Sequence, residues 1–405
     1  MNIVPINDWR FKKEVQMTLL LLIIIYLAFI SLGLPDSLLG SAWPAIQPMF
    51  HVPVAYAGII TMIVSGGTIV SSYFSSTIIK KLGTGLVTAI SVIMTAAALL
   101  GFAYSDNFLW LCLLAVPLGL GAGSVDAALN NFVALHYEAR HMSWLHCFWG
   151  VGATAGPVIM AHFLKQGGRW DMGYRTIGII QLCLSVILFL SLPLWTKVKQ
   201  EAESSKEEEI STDLSRGELL KKKGVLSALF AFFCYCAFEA TAGLWGSSFL
   251  VFSKGITAET AAKWVSLFYL GITIGRFLAG FLTMKLDNRT MIRIGEGIIL
   301  FGILLLFLPG GGISLQAGLL FTGIGCAPIY PSMIHDTPRR FGKAISQSLM
   351  GMQMACAYIG STFMPPLFGT IANATTFLLY PAALLLFLCM MVILSEKSAR
   401  AVSEG

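Results

Sequence analysis

Residues 16–47 read QMTLLLLIIIYLAFISLGLPDSLLGSAWPAIQ, and this stretch decides the class of the chain. Asp36 is its only charged residue. The run exceeds the ~20 mostly apolar residues that a bilayer-spanning helix needs. It is also too long for the apolar region of a signal peptide. Comparable segments recur at 54–79, 84–105, 107–135, 142–164, 174–195, 224–252, 259–284, 290–308, 312–334, 343–370 and 374–395, which makes twelve spans. Charges and turn formers separate them, for example Lys80-Lys81-Leu82-Gly83, Asp106-Asn107, Gly167-Gly168-Arg169 and the glycines after Pro309.

Composition agrees. Of 405 residues 56% are hydrophobic and 12% charged, and the mean hydropathy is +0.77. A soluble domain carries ~25% charge. A cytosolic enzyme, a nucleic-acid binder and a disordered chain are therefore excluded, and the expected partners are the lipid bilayer and small molecules. The eight cysteines fall in apolar segments without zinc-type spacing and read as small buried hydrophobes. No metal site and no cofactor are expected.

Twelve spans place both termini on one side of the membrane. That side collects 21 of the 27 basic residues, the other five, and Arg276 lies within a span. The positive-inside rule makes the richer side cytoplasmic. The expected organisation is a six-helix bundle over 1–196, a cytoplasmic linker over 197–223, a second bundle over 224–396 and a cytoplasmic tail over 397–405. The linker is the longest polar stretch and reads as a solvated, acidic-basic connector.

The two bundles repeat each other. Ala57, Gly66, Ile69 and Lys80 match Ala262, Gly271, Ile274 and Lys285 at an offset of 205. Ala28, Asp36 and Gly40 in span one match Ala231, Glu239 and Gly243 in span seven. Gly119-Leu120-Gly121 in span four matches Gly323-Ile324-Gly325 in span ten. Duplicated bundles of this kind form solute sites at their interface, near the bilayer midplane.

This six-plus-six pattern resembles the major facilitator superfamily. Gly275-Arg276, Gly280 and Lys285 are similar to its cytoplasmic loop motif, in the second half; Lys80-Lys81-Leu82-Gly83 is a degenerate first-half version. Gly33-Leu-Pro-Asp36, Trp43-Pro44, Asp126-Ala-Ala-Leu-Asn130 and Ile329-Tyr330-Pro331 resemble the fucose permease-like sugar:proton symporters. The resemblance implies an all-α integral membrane fold of two pseudo-symmetric bundles whose spans one, four, seven and ten line a cavity. It further implies essential acids in spans one and four.

An ionisable side chain at the bilayer centre costs ~2.5–3.5 kcal/mol even on lenient scales, so each is a functional candidate. Asp36, Asp126 and Glu239 are such residues, on three of the four cavity helices. Burial in an apolar medium favours the neutral form of a carboxyl, which suits proton loading. Asp126, with Glu239 as the second candidate, is the expected proton-coupling group. Asp36 is the expected substrate contact, supported by Trp43, Asn130, His146, Glu239, Trp245, Gln353 and Tyr358. Arg276 and Lys285 are expected at the inner gate. The function read from this is proton-coupled uptake of a neutral hydroxylated solute such as a sugar, driven by the proton gradient, by a monomeric carrier. A drug/proton antiporter is the alternative, because Gly152-Ala-Thr-Ala-Gly156-Pro157 resembles the front of the antiporter motif. A non-transporting sensor is a third reading, disfavoured because the linker and tail are too short for a signalling domain.

Overall fold

Apolar runs broken by glycine, proline and charge fold here as helices. The computed structural model describes residues 8–137, 139–196, 216–309 and 312–403, and among these no strand occurs. Span one comprises Asp8–Asp36 and Leu38–Phe50. Spans two to six are Ala57–Leu82, Thr84–Ala103, Phe108–His136, Ala139–Lys165 and Trp170–Leu190. Spans seven to nine are Val225–Lys254, Ala258–Leu282 and Asn288–Phe307. Span ten is split into Gly312–Cys326 and Ile329–Phe341, and spans eleven and twelve are Lys343–Ala374 and Tyr380–Ser403. Eleven segments have the length and hydropathy of a crossing, and the 32-residue Lys343–Ala374 makes the twelfth. Residues 197–215 of the expected linker lie outside the described residues. The expected tail after 396 instead continues span twelve as helix to Ser403.

Local chemistry sets the ends and breaks. Asn107, Thr257 and Asp287 cap helix starts by accepting the amides of Trp110, Thr260 and Thr290. The Thr290 hydroxyl also donates to Asp287 and, with the amide, holds that loop carboxyl below the usual range. Pro35 and Pro328 supply no amide proton and crowd the preceding turn, so spans one and ten break beside them.

The duplication is visible in the packing. A Cβ at Gly119 of span four would overlap the Val64 carbonyl of span two, and one at Gly323 would overlap the Phe268 carbonyl. Gly121 lies against the Ser91 carbonyl as Gly325 lies against that of Gly295. All four pairs are related by an offset of 204. The sequence register of 205 for spans two and eight is therefore one residue out; Gly67, not Gly66, is the partner of Gly271. Gly152 packs on the Ile30 carbonyl and Gly360 on that of Phe233, which keeps the offset of 203 for spans one and seven. In lipid, where association depends on close backbone approach, such glycines hold the bundle together.

A side chain there is expected to be costly. Gly119→Val overpacks the span two–four contact by about 1–3 kcal/mol or more. The purified variant should melt several degrees lower and aggregate, whereas Gly280→Ala, with open space around it, should melt like the wild type. Equal melting of both variants by fluorescence scanning would contradict the packing account.

The halves meet along spans one, two and five on one side and seven, eight and eleven on the other. On the side opposite the termini they are closed: Ser247 donates to the Ser41 carbonyl at 3.4 Å, Gly40 abuts the Gly243 and Leu244 carbonyls, and Gly58 abuts Pro366. At mid-depth Gly150 and Thr154 meet Thr273. On the terminal side the ion pairs of Glu396 with Arg289 at 2.7 Å and Arg293 at 2.6 Å, and of Asp336 with Arg340, stay within the second half. The contacts described between the two halves thus form a seal on the side opposite the termini.

Candidate functional site

The break after Pro35 leaves Asp36 at the end of a helical segment, with an exposed side chain at mid-membrane depth. Accessible surface at that depth, facing other spans, marks the cleft. The Trp149 indole N–H of span five donates to Asp36 Oδ2 at 2.7 Å. The other use of that ring is across the interface: the Arg276 guanidinium of span eight sits 4.9 Å over its centroid. Arg276 also donates to the His146 carbonyl at 3.5 Å and lies 3.8 Å from Glu239 of span seven. Asp36, Trp149, Arg276 and Glu239 form one chain of polar contacts running from the first half into the second.

Asp126 stands on the other wall. Its Oδ1 accepts from Asn130 at 2.9 Å, one turn further along span four. Asp36 lies within its electrostatic reach, as do Tyr330 of span ten and Tyr358 of span eleven. Tyr358 in turn lies beside Ser72 of span two. Tyr269 of span eight lies within reach of both Asp36 and Glu239, its hydroxyl resting where Gly243 has no side chain. Among the described residues no cation pairs with Asp36 or Asp126; their partners are neutral N–H donors. Glu239 has Arg276, and the pair is 22% and 16% exposed. His146 presents its ring edge to Phe29 and its carbonyl to Arg276.

The structure thus gathers Asp36, Asp126, Asn130, His146, Glu239, Tyr358 and Arg276. Arg276, expected at the gate, is instead in the cleft beside Glu239. Others are elsewhere. Trp43 is fully buried and donates to the Val54 carbonyl at 2.6 Å, while Trp245 is fully buried and donates to Pro365 at 2.7 Å. In this conformation neither ring presents a face to a solute. Gln353 is buried and accepts from Thr337 at 2.9 Å, tying span eleven to span ten. Lys285 is exposed in the loop after span eight. The antiporter-like glycines Gly152 and Gly156 pack on the Ile30 and Leu34 carbonyls, which explains their spacing as helix packing. Sequence reasoning missed Trp149, Tyr269 and Tyr330. The available signal for Trp149 was its position three residues after His146, on the same face of an apolar helix.

Two six-helix halves around a cleft that is closed on one side and carries Asp36, Asp126 and Glu239 at mid-depth have the form of a solute transporter. Similarity to known proteins gives the family. A sequence model of the Major Facilitator Superfamily matches residues 25–315 and 228–404, and the chain belongs to that superfamily. The chain is 22% identical to the glucose/mannose transporter GlcP of Bacillus subtilis, covering 94% of each chain. It is also 22% identical to Bypass of stop codon protein 6 of Saccharomyces cerevisiae, over 92% of this chain and 82% of that one. Among solved structures, a point mutant of the nucleoside transporter NupG superposes with a TM-score of 0.74 at 15% identity, over 93% of this chain and 98% of that one. The chain is therefore a multi-pass membrane transporter of small solutes.

Proposed function

We propose that the chain takes up a neutral hydroxylated solute, a sugar or a close relative, together with protons by alternating access. The observation that carries this reading is that Asp36 and Asp126 face one cleft with only neutral donors as partners among the described residues. A carboxylate without a cation is stabilised by gaining a proton, whereas one held by arginine is not. Asp126 is the coupling group in this reading and Asp36 the solute contact, with Asn130, His146, Tyr358 and Glu239 around them. The Arg276 guanidinium in the cleft is already counter-charged by Glu239, so the site as a whole favours neutral ligands over anions. The sugar specificity in the name of GlcP supports the solute class.

The orientation is part of the proposal: the basic-rich terminal side is cytoplasmic. The cleft then faces the cytoplasm, and the structure is inward-open. Cysteines placed at Ser205 and Asn107 of an otherwise cysteine-free chain should be labelled from opposite faces. Labelling of Ser205→Cys in intact cells by an impermeant maleimide would reverse the topology.

The solute class is tested by thermal shift of the purified protein against glucose, mannose, fucose, polyols, nucleosides, a hexuronate and cationic drugs. A ligand binding only the folded form at 100 times its Kd adds about 2.7 kcal/mol of stability. A neutral hydroxylated compound should raise the melting point by several degrees. A shift from the hexuronate or a cation alone would reject the reading.

A further inference from the structure

We infer a binding site for an anionic phospholipid in the seam between spans five and eight, on the side opposite the termini. A cavity of about 350 Å³ lies there, away from the cleft acids. Its chemistry is graded along the membrane normal. Lys165 is the last residue of span five, and Lys263 stands five residues into span eight; both are exposed. Deeper, Val158 lies seven residues before Lys165, ~10 Å further in at 1.5 Å per residue, and Leu267 lies one turn below Lys263. Val158 keeps 48% of its surface exposed on this wall.

Neither lysine has an ion-pair partner among the described residues, whereas the nearby Arg169 is held by Asp171 at 2.8 Å. Glu259 is the one carboxylate in the lining, so the cavity carries a net single positive charge. Two of the five basic residues on this side of the chain therefore converge on one cavity. A phosphodiester monoanion neutralises that net charge, and Glu259 can accept from a headgroup hydroxyl. The apolar wall below gives a soluble anion nothing to bind but accommodates an acyl chain. Lysines near the membrane surface extend their charged ends to the headgroup level while their stems cover apolar surface. The occupant that uses the whole cavity is a lipid with a monoanionic, hydroxyl-bearing headgroup, such as phosphatidylglycerol. Spans five and eight also form the mid-depth contact between the halves, through Gly150, Thr154 and Thr273. A lipid wedged above that contact bears on the relative movement of the halves.

The full-length protein, delipidated in detergent, is titrated with phosphatidylglycerol, phosphatidylethanolamine or phosphatidylcholine and read by native mass spectrometry. One phosphatidylglycerol adduct should persist at energies that strip the other two, with about tenfold or greater preference, since each lysine near the surface favours an anionic lipid by about 1 kcal/mol. Lys165→Gln/Lys263→Gln should abolish the preference, whereas Arg175→Gln/Lys254→Gln, altering basic residues outside the cavity, should keep it. Leu267→Asp leaves both lysines in place and should also remove the adduct, by placing charge against the acyl chain. Equal retention of all three lipids, an unchanged preference in the first double variant, or displacement of phosphatidylglycerol by glycerol phosphate at matched concentration would each overturn the inference.

Discussion

Proteoliposomes carrying Asp126→Asn should equilibrate solute by counterflow and accumulate none when a pH gradient is imposed. With one proton per solute, a gradient of one pH unit corresponds to about 1.4 kcal/mol and sustains about tenfold accumulation in the wild type. The variant should stay at a ratio of one. The reason lies in the pairing around span four. Asp126 accepts from the Asn130 amide and meets no cation among the described residues. Asparagine reproduces the shape of the neutral carboxyl and holds no exchangeable charge, so the site can reorient but cannot carry a proton. Asp36→Asn should behave differently, weakening binding itself, because that carboxylate accepts from Trp149 at the exposed surface of the cleft. Accumulation by Asp126→Asn at the wild-type ratio would move the coupling role to Glu239. The Arg276 contact 3.8 Å from Glu239 argues against that move, since a neighbouring guanidinium favours the charged carboxylate.

Twelve spans, the duplication and the three acids were all legible in the chain, because a charge in an apolar run is conspicuous and a repeat survives as spaced glycines. What the sequence did not carry is rotation and tilt. Asp36, Gly40, Trp43 and Gln47 would share one face of an unbroken helix. The break beside Pro35 separates them, and Trp43 and Gln47 donate instead to the Val54 and Val52 carbonyls beyond the end of the span. The stripe of Gly119, Gly123, Asp126 and Asn130 is continuous, yet its two ends do different work. Gly119 and Gly123 accept span two, with Thr68 and Ser72 donating to their carbonyls, and only the acid end reaches the cleft. Arg276 could be placed near the gate from its motif, but a guanidinium reaches far from its Cα. Its actual partners, Trp149 and Glu239, lie on two other helices, one in each half. Periodicity reports which residues share a face; it does not report what that face meets.

The same packing makes Gly40 a conformational control point. A Cβ there would stand 2.7 Å from the Gly243 carbonyl and 2.8 Å from that of Leu244, both backbone atoms of span seven in the opposite half. Neither can move without its helix. Gly40→Leu must therefore separate spans one and seven where they seal the side opposite the termini, rather than rearrange a side chain. At about 3 kcal/mol of overpacking the closed form loses about a hundredfold in population relative to the open one. Net transport should fall to a few per cent of wild type, because the carrier no longer seals that side. Solute binding should survive, since Gly40 lies one turn beyond Asp36 and its contacts are with backbone. A cysteine at Ser41, which is fully buried in the seal, supplies the readout. In a background without other reactive cysteines, Ser41→Cys should be labelled slowly by an impermeant maleimide, and quickly once Gly40→Leu is added. Gly40→Ala should fall between the two. Wild-type transport together with slow labelling in Gly40→Leu would show that this contact opens without cost and is not the seal.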